Sequence, residues 1–214
     1  MRSGGSRILA AAGIAAPLLW AGAVIYCGAA RPGYSHVTQF MSELAERGSS
    51  TESVMRIAGF YLPGLLVVMF ALHLLIRSAG WPVAALLIIH GAARVTAGMF
   101  PCDPGCPASG ASVSQAVHNA AAMVNGLSVP AAALVCSVRL WKIGRSRFAA
   151  YSLVSAIVGT VFLVLMVMNL TTRSHVGVFQ RLSFGTMNLW LAVFALSSWP
   201  SRIEASDRSA GGAD

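Results

Sequence analysis

Six long apolar runs, at 8–30, 57–76, 81–100, 114–138, 149–170 and 176–199, are separated by short polar connections along most of the chain. About 20 apolar residues suffice for a helix to cross a hydrocarbon core about 30 Å thick, and each run reaches that length. With no water to satisfy the backbone, such runs are expected to be helical even where Val, Ile and Gly are frequent. The pattern therefore predicts an all-α fold, a polytopic bundle of six transmembrane helices over 1–200. Pro17, Pro63 and Pro130 are expected to mark kinks rather than ends.

Between the first two runs the pattern changes. Val37, Phe40, Met41 and Leu44 follow the i, i+3, i+4, i+7 spacing of an amphipathic helix, with His36, Gln39, Glu43 and Glu46 on the opposite face. Ser35 is placed to cap it, Gly48 to stop it, and Ser49 with Glu52 to restart a helix into the second span. A short interfacial helix is the expectation, acting as a seal or as a lid. The segment 201–214 is small and polar and is expected to be a disordered cytoplasmic tail.

Composition supports a lipid environment: 56% of residues are hydrophobic and 10% charged, against about 25% charged in soluble domains. The formal charge of +8 does not point to nucleic acid, because the arginines are spread among the connections and form no stripe. Their distribution instead sets an orientation. With the N-terminus inside, nine basic residues are cytoplasmic (Arg2, Arg7, Arg77, Arg139, Lys142, Arg145, Arg147, Arg202, Arg208) and four are outside (Arg31, Arg47, Arg56, Arg173). Both termini are then cytoplasmic. Lys142 is the one lysine among fifteen basic residues, a coding bias that suggests a bacterial plasma membrane. The first run could also be read as a secretory or lipoprotein signal, but its length and the bulky Tyr26 before Cys27 argue against both.

This topology collects the strongly polar intramembrane residues in the outer half. Arg94 lies near the outer end of the third span, Gln115, His118 and Asn125 share a stripe on the fourth, and Arg181 lies early in the sixth. An intramembrane Arg costs on the order of 2.5–3.5 kcal/mol on insertion scales, so it pairs, snorkels or faces a cavity. Arg94, Arg181 and His118 are expected to face one cavity, with Glu43 or Asp103 as counter-charge. His73 and His90 read as interhelical hydrogen-bonding residues. In the third connection, Cys102 and Cys106 flank Asp103-Pro104-Gly105 on the oxidising side and are expected to form a disulfide. A thiolate zinc site there would need two more ligands.

The stretch Tyr34-Ser35-His36-Val37-Thr38-Gln39-Phe40-Met41-Ser42-Glu43-Leu44, the later Gly98-Met99-Phe100-Pro101-Cys102-Asp103, and His118 beyond it resemble the "domain of unknown function 998" membrane family of bacteria and archaea. The resemblance spans roughly 10–200. It implies a multi-span bundle in which the first connection, third connection and fourth span form the signature region, with Ser35, His36, Ser42, Glu43, Pro101, Asp103 and His118 as the matching residues. It implies no activity.

Two functions compete on these residues. One is a binding module for an anionic lipid head group or similar amphiphile, with Arg94, Arg181, His118, Glu43, Asp103, Gln115, Ser35 and His36 as candidate ligand-binding residues. The other is a metal-dependent lipid hydrolase using His36, His118, His175 and Asp103 or Glu43 around a metal-bound water. The second has no paired-His helical motif behind it. A transporter would need broken midplane helices and an internal repeat, neither of which is evident. No Walker loop, dinucleotide fingerprint or Gly-x-Ser-x-Gly elbow is present, so no soluble cofactor is implied.

Overall fold

The computed structural model describes residues 2–77, 80–109 and 112–198, all helix, turn or irregular chain with no strand among them. Six long helices follow one another: α1 Arg2–Ala30, α2 Glu52–Ile76, α3 Trp81–Met99, α4 Val113–Lys142, α5 Ser146–Met168 and α6 Val176–Ser197. Five of them, α1 through α5, are long and apolar enough to cross a membrane. The 201–214 tail lies outside the described residues.

Each helix packs on its neighbours in the chain, and α1 also packs on α6, so the bundle closes into a ring in sequence order. Its middle is filled by Phe70 and Leu74 of α2, Leu87 of α3 and Trp190 and Leu191 of α6. Around the perimeter Leu18, Ile57, Ile89, Leu134, Val161 and Leu189 stay exposed, which suits a lipid solvent. Hydroxyls join helices inside: Trp190 Nε1 donates to Ser152 Oγ at 3.0 Å, Ser183 Oγ to the Gly159 carbonyl at 2.8 Å and Ser137 Oγ to the Ala149 carbonyl at 2.8 Å. His90 and Asn125 bond across α3 and α4, with Asn125 Nδ2 2.9 Å from the His90 carbonyl, and His73 Nδ1 lies 3.3 Å from Ser6 Oγ. Both histidines thus serve as interhelical links.

Where α2 crosses α3 the backbones touch. A Cβ at Gly64 would sit 2.7 Å from the Gly91 carbonyl oxygen, so only hydrogen fits at either position. Pro17 and Pro130 lie within α1 and α4, and Pro63 follows a π-helical stretch, Met55–Tyr61.

The first connection differs from its expected form. Residues 36–38 form a turn, Phe40 is extended (φ −65°, ψ 150°), and Met41–Ala45 is one short 3₁₀ helix. Ser35 Oγ accepts from the amides of Val37 and Thr38 at 3.3 Å each, and so caps a turn rather than an α-helix. The apolar residues are buried by folding inward: Met41 and Leu44 pack with Val24, Cys27 and Met55, and Phe40 packs with Cys102, Cys106 and Val176. Tertiary burial, in place of an interface-lying helix, satisfies the same spacing. This connection, together with residues 100–109 and 169–175, closes one end of the ring, called here the capped end.

Candidate functional site

The capped end is held by arginine. Arg181 donates from Nη1 to the carbonyls of His36 (2.7 Å), Gln39 (3.2 Å) and Gly177 (2.8 Å), from Nε to His36 Nδ1 (3.1 Å), and from Nη2 to the Tyr34 hydroxyl. The amide of Gly177 donates to the Val37 carbonyl at 2.9 Å, and a Cβ at Gly177 would lie 2.6 Å from the His36 carbonyl oxygen. The start of α6 and the first connection therefore meet backbone to backbone. Burial and then the Arg181 charge push the His36 pKa below its usual 6.5, while burial raises that of Tyr34.

Glu43 and Glu46 are buried, at 3% and 7% exposure, and carry other arginines. Arg173 bridges the Glu43 carboxylate and the Gly105 carbonyl (2.8 Å), with its guanidinium 4.9 Å from the Phe40 ring centre. Arg31 bridges the Glu46 carboxylate and the Glu43 carbonyl, and Glu46 Oε2 also accepts the Gly105 amide at 2.6 Å. Asp103 accepts from Ser112 Oγ at 2.8 Å and lies 3.9 Å from Arg47, while Gln115 holds the Asp103 amide at 2.7 Å and the Pro107 carbonyl at 3.0 Å. Cys102 and Cys106 are within disulfide distance, Cα to Cα 5.1 Å.

Beneath this cap, five residues from the end of α3, lies Arg94 at 3% exposure. Its guanidinium is 5.9 Å from the Trp20 ring centre, and its Nη1 has no hydrogen-bond partner among the described residues. Arg94 and His118 line a small hollow of about 50 Å³ with Ser42, Gln180 and Phe184. Ser42, His118, Gln180 and Phe184 also line a second cavity of about 170 Å³, whose other wall is apolar and includes Met123 of α4 and Leu163, Met166 and Val167 of α5. The two hollows share Ser42, His118, Ala122, Gln180 and Phe184 as walls, with Arg94 lining the first and α4 and α5 lining the second. Farther along the same helix pair, Leu127, Pro130, Val161 and Val164 border an apolar hollow of about 480 Å³.

The expected cavity shared by both arginines is not what these positions form. Arg94 and His118 line the hollow, whereas Arg181 is turned onto the first connection and is not among its lining residues. The counter-charges differ too: Glu43 serves Arg173, and Asp103 serves Ser112 and Arg47. The physical reason is proximity along the cap, where flexible loop arginines reach the acids and α3 holds Arg94 below them. Ser35 and His36 belong to the cap, and Gln115 braces the third connection. His175 borders Phe179, ring centres 6.2 Å apart. Among the described residues, no three His, Cys, Asp or Glu side chains gather closely enough to hold a metal ion, so His36, His118, His175 and Asp103 do not form one centre. Trp20 carries no sequence signal for the cavity, since an aromatic residue in mid-span is ordinary, and Ser42 stands out only through the family resemblance. Arg173 showed only as a loop charge.

A closed ring of apolar helices with buried polar groups under one cap defines a polytopic helical membrane protein. The chain belongs to the family described as "Protein of unknown function (DUF998)", whose match covers residues 14–197. No curated protein and no solved structure matches it.

Proposed function

We propose that this protein is a six-span bacterial plasma-membrane protein, capped end outward and both termini cytoplasmic, whose cavity binds an anionic lipid head group at Arg94. The observation that carries the binding reading is the buried Arg94 guanidinium, whose Nη1 has no partner among the described residues, lining a hollow that shares His118, Gln180 and Phe184 with a larger, mostly apolar cavity beside α4 and α5. A buried cation without a counter-ion is costly, and an anion donated by a ligand offsets that cost with charge-assisted hydrogen bonds. The apolar wall between α4 and α5 suits an acyl chain attached to such a head group.

Lipids co-purifying in mild detergent test this directly. The expected result is an anionic lipid held by the parent and reduced at least about tenfold in Arg94→Gln, while Arg47→Gln on the exposed cap retains it. Equal lipid content in folded parent and Arg94→Gln would remove the reading.

The orientation rests on the nine-to-four excess of basic residues on the uncapped side. In intact cells an impermeant thiol reagent is expected to label a cysteine at Ser50 and not one at Ser146, with Cys102 and Cys106 protected until reductant is added. The opposite labelling pattern would invert the protein in the membrane.

A further inference from the structure

His118 Nδ1 lies 3.0 Å from the Ala97 carbonyl and 2.9 Å from the Phe100 carbonyl. Only a protonated nitrogen can approach two carbonyl oxygens in this way, so Nδ1 carries the hydrogen and donates it to the last turn of α3. In the neutral ring Nε2 is then left as a lone-pair acceptor. It makes no hydrogen bond among the described residues, although His118 is 3% exposed and lines both cavities. Two backbone carbonyls, Ala97 in the last turn of α3 and Phe100 just beyond it, favour the same tautomer. The site therefore pairs a fixed acceptor with the donors of Arg94.

Arg94 is the single charged side chain lining the two cavities among the described residues, and no acid lines them. One cation matches one negative charge. A phosphodiester carries one negative charge, and a head-group hydroxyl beside it is a hydrogen-bond donor for which His118 Nε2 is the complement. We infer that the ligand is a monoanionic phosphodiester lipid whose head group carries a free hydroxyl, as in a phosphoglycerol head, with Arg94 on the phosphate and His118 Nε2 accepting from the hydroxyl. This inference rests on the lipid-binding reading above and deepens it.

Two lipids of equal charge separate the possibilities: dioleoyl phosphatidylglycerol, and dioleoyl phosphatidylmethanol, which lacks the hydroxyl. Each is titrated into the delipidated full chain in phosphatidylcholine nanodiscs, with binding read by native mass spectrometry. The expected result is about tenfold tighter binding of phosphatidylglycerol, since its hydroxyl gives His118 Nε2 a hydrogen bond that the other lipid cannot supply. In His118→Phe, which keeps a ring against Phe60, the two lipids are expected to bind alike while phosphatidylmethanol binding is little changed. Equal binding of both lipids to the parent overturns the hydroxyl assignment and leaves the Arg94 site standing. Absence of binding by either lipid overturns both. If His118→Phe does not fold, the comparison on the parent chain alone decides the question.

Discussion

At His36 one titration reaches two elements at once, because its Nδ1 accepts from Arg181 Nε of α6 while its carbonyl accepts from Nη1. Accepting at Nδ1 requires that nitrogen to be unprotonated, and a proton there would set an imidazolium against a guanidinium. Burial and Arg181 depress the His36 pKa, so the unfolded or undocked state binds the proton more readily. By linkage the docking contribution is intact above the ordinary value of about 6.5 and declines as pH falls below it toward the depressed folded value. Limited proteolysis of residues 31–48 is expected to speed up between about pH 7.5 and about pH 5.5 in the parent, and to lose that dependence in His36→Gln. An unchanged pH response in the variant would assign it to another group. Arg94, by contrast, is readable as exceptional from its type and depth alone, whereas its Nη1 lacking a hydrogen-bond partner among the described residues is not. Which acid meets which arginine depends on the folded paths of the connections, and the sequence spacing of Glu43 and Arg173 carries no trace of their pairing.

Among the elements, the α2–α3 crossing shows how a small side chain sets helix distance. Gly64 and Gly91 leave each carbonyl against the facing Cα, and a methyl at either would lie within bonding-clash distance of backbone that cannot rotate away. Gly91→Leu is expected to separate the helices and destabilise the bundle by about 1–3 kcal/mol, read as a lowered midpoint in thermal unfolding in detergent. An unchanged midpoint would mean the crossing relaxes freely. Helices were the most legible elements because runs long enough to span admit no other backbone. Their ends lie beyond the apolar runs: α2 begins at Glu52, where the Ser49 and Glu52 capping spacing restarts a helix ahead of the run at 57, and α4 continues to Lys142 past 138, since polar residues can prolong a helix. The first connection takes another form than its spacing predicts because Phe40 is extended, and periodicity cannot distinguish a helix from a folded loop whose apolar residues find the core one by one.

For the molecule as a whole, the ring order means that α6 closes against both α5 and α1. It is also the long helix left out of the five that meet the length and apolarity needed to cross a membrane. Its polar groups take their partners from residues earlier in the chain: Arg181 from Tyr34, His36 and Gln39, Gln180 from the Met41 amide, Ser183 from Gly159, and Trp190 from Ser152. During synthesis those partners emerge first. On the six-span reading proposed above, the segment would enter the bilayer as the last stave of a barrel already standing, its insertion assisted by the protein instead of by hydropathy. In a glycosylation-mapping translation assay, residues 176–197 appended to an unrelated carrier are expected to integrate poorly, and the same residues following 1–175 to integrate well. Equal integration in the two settings would show that α6 needs no help, and that its polar face is a feature of the finished bundle with no part in its birth.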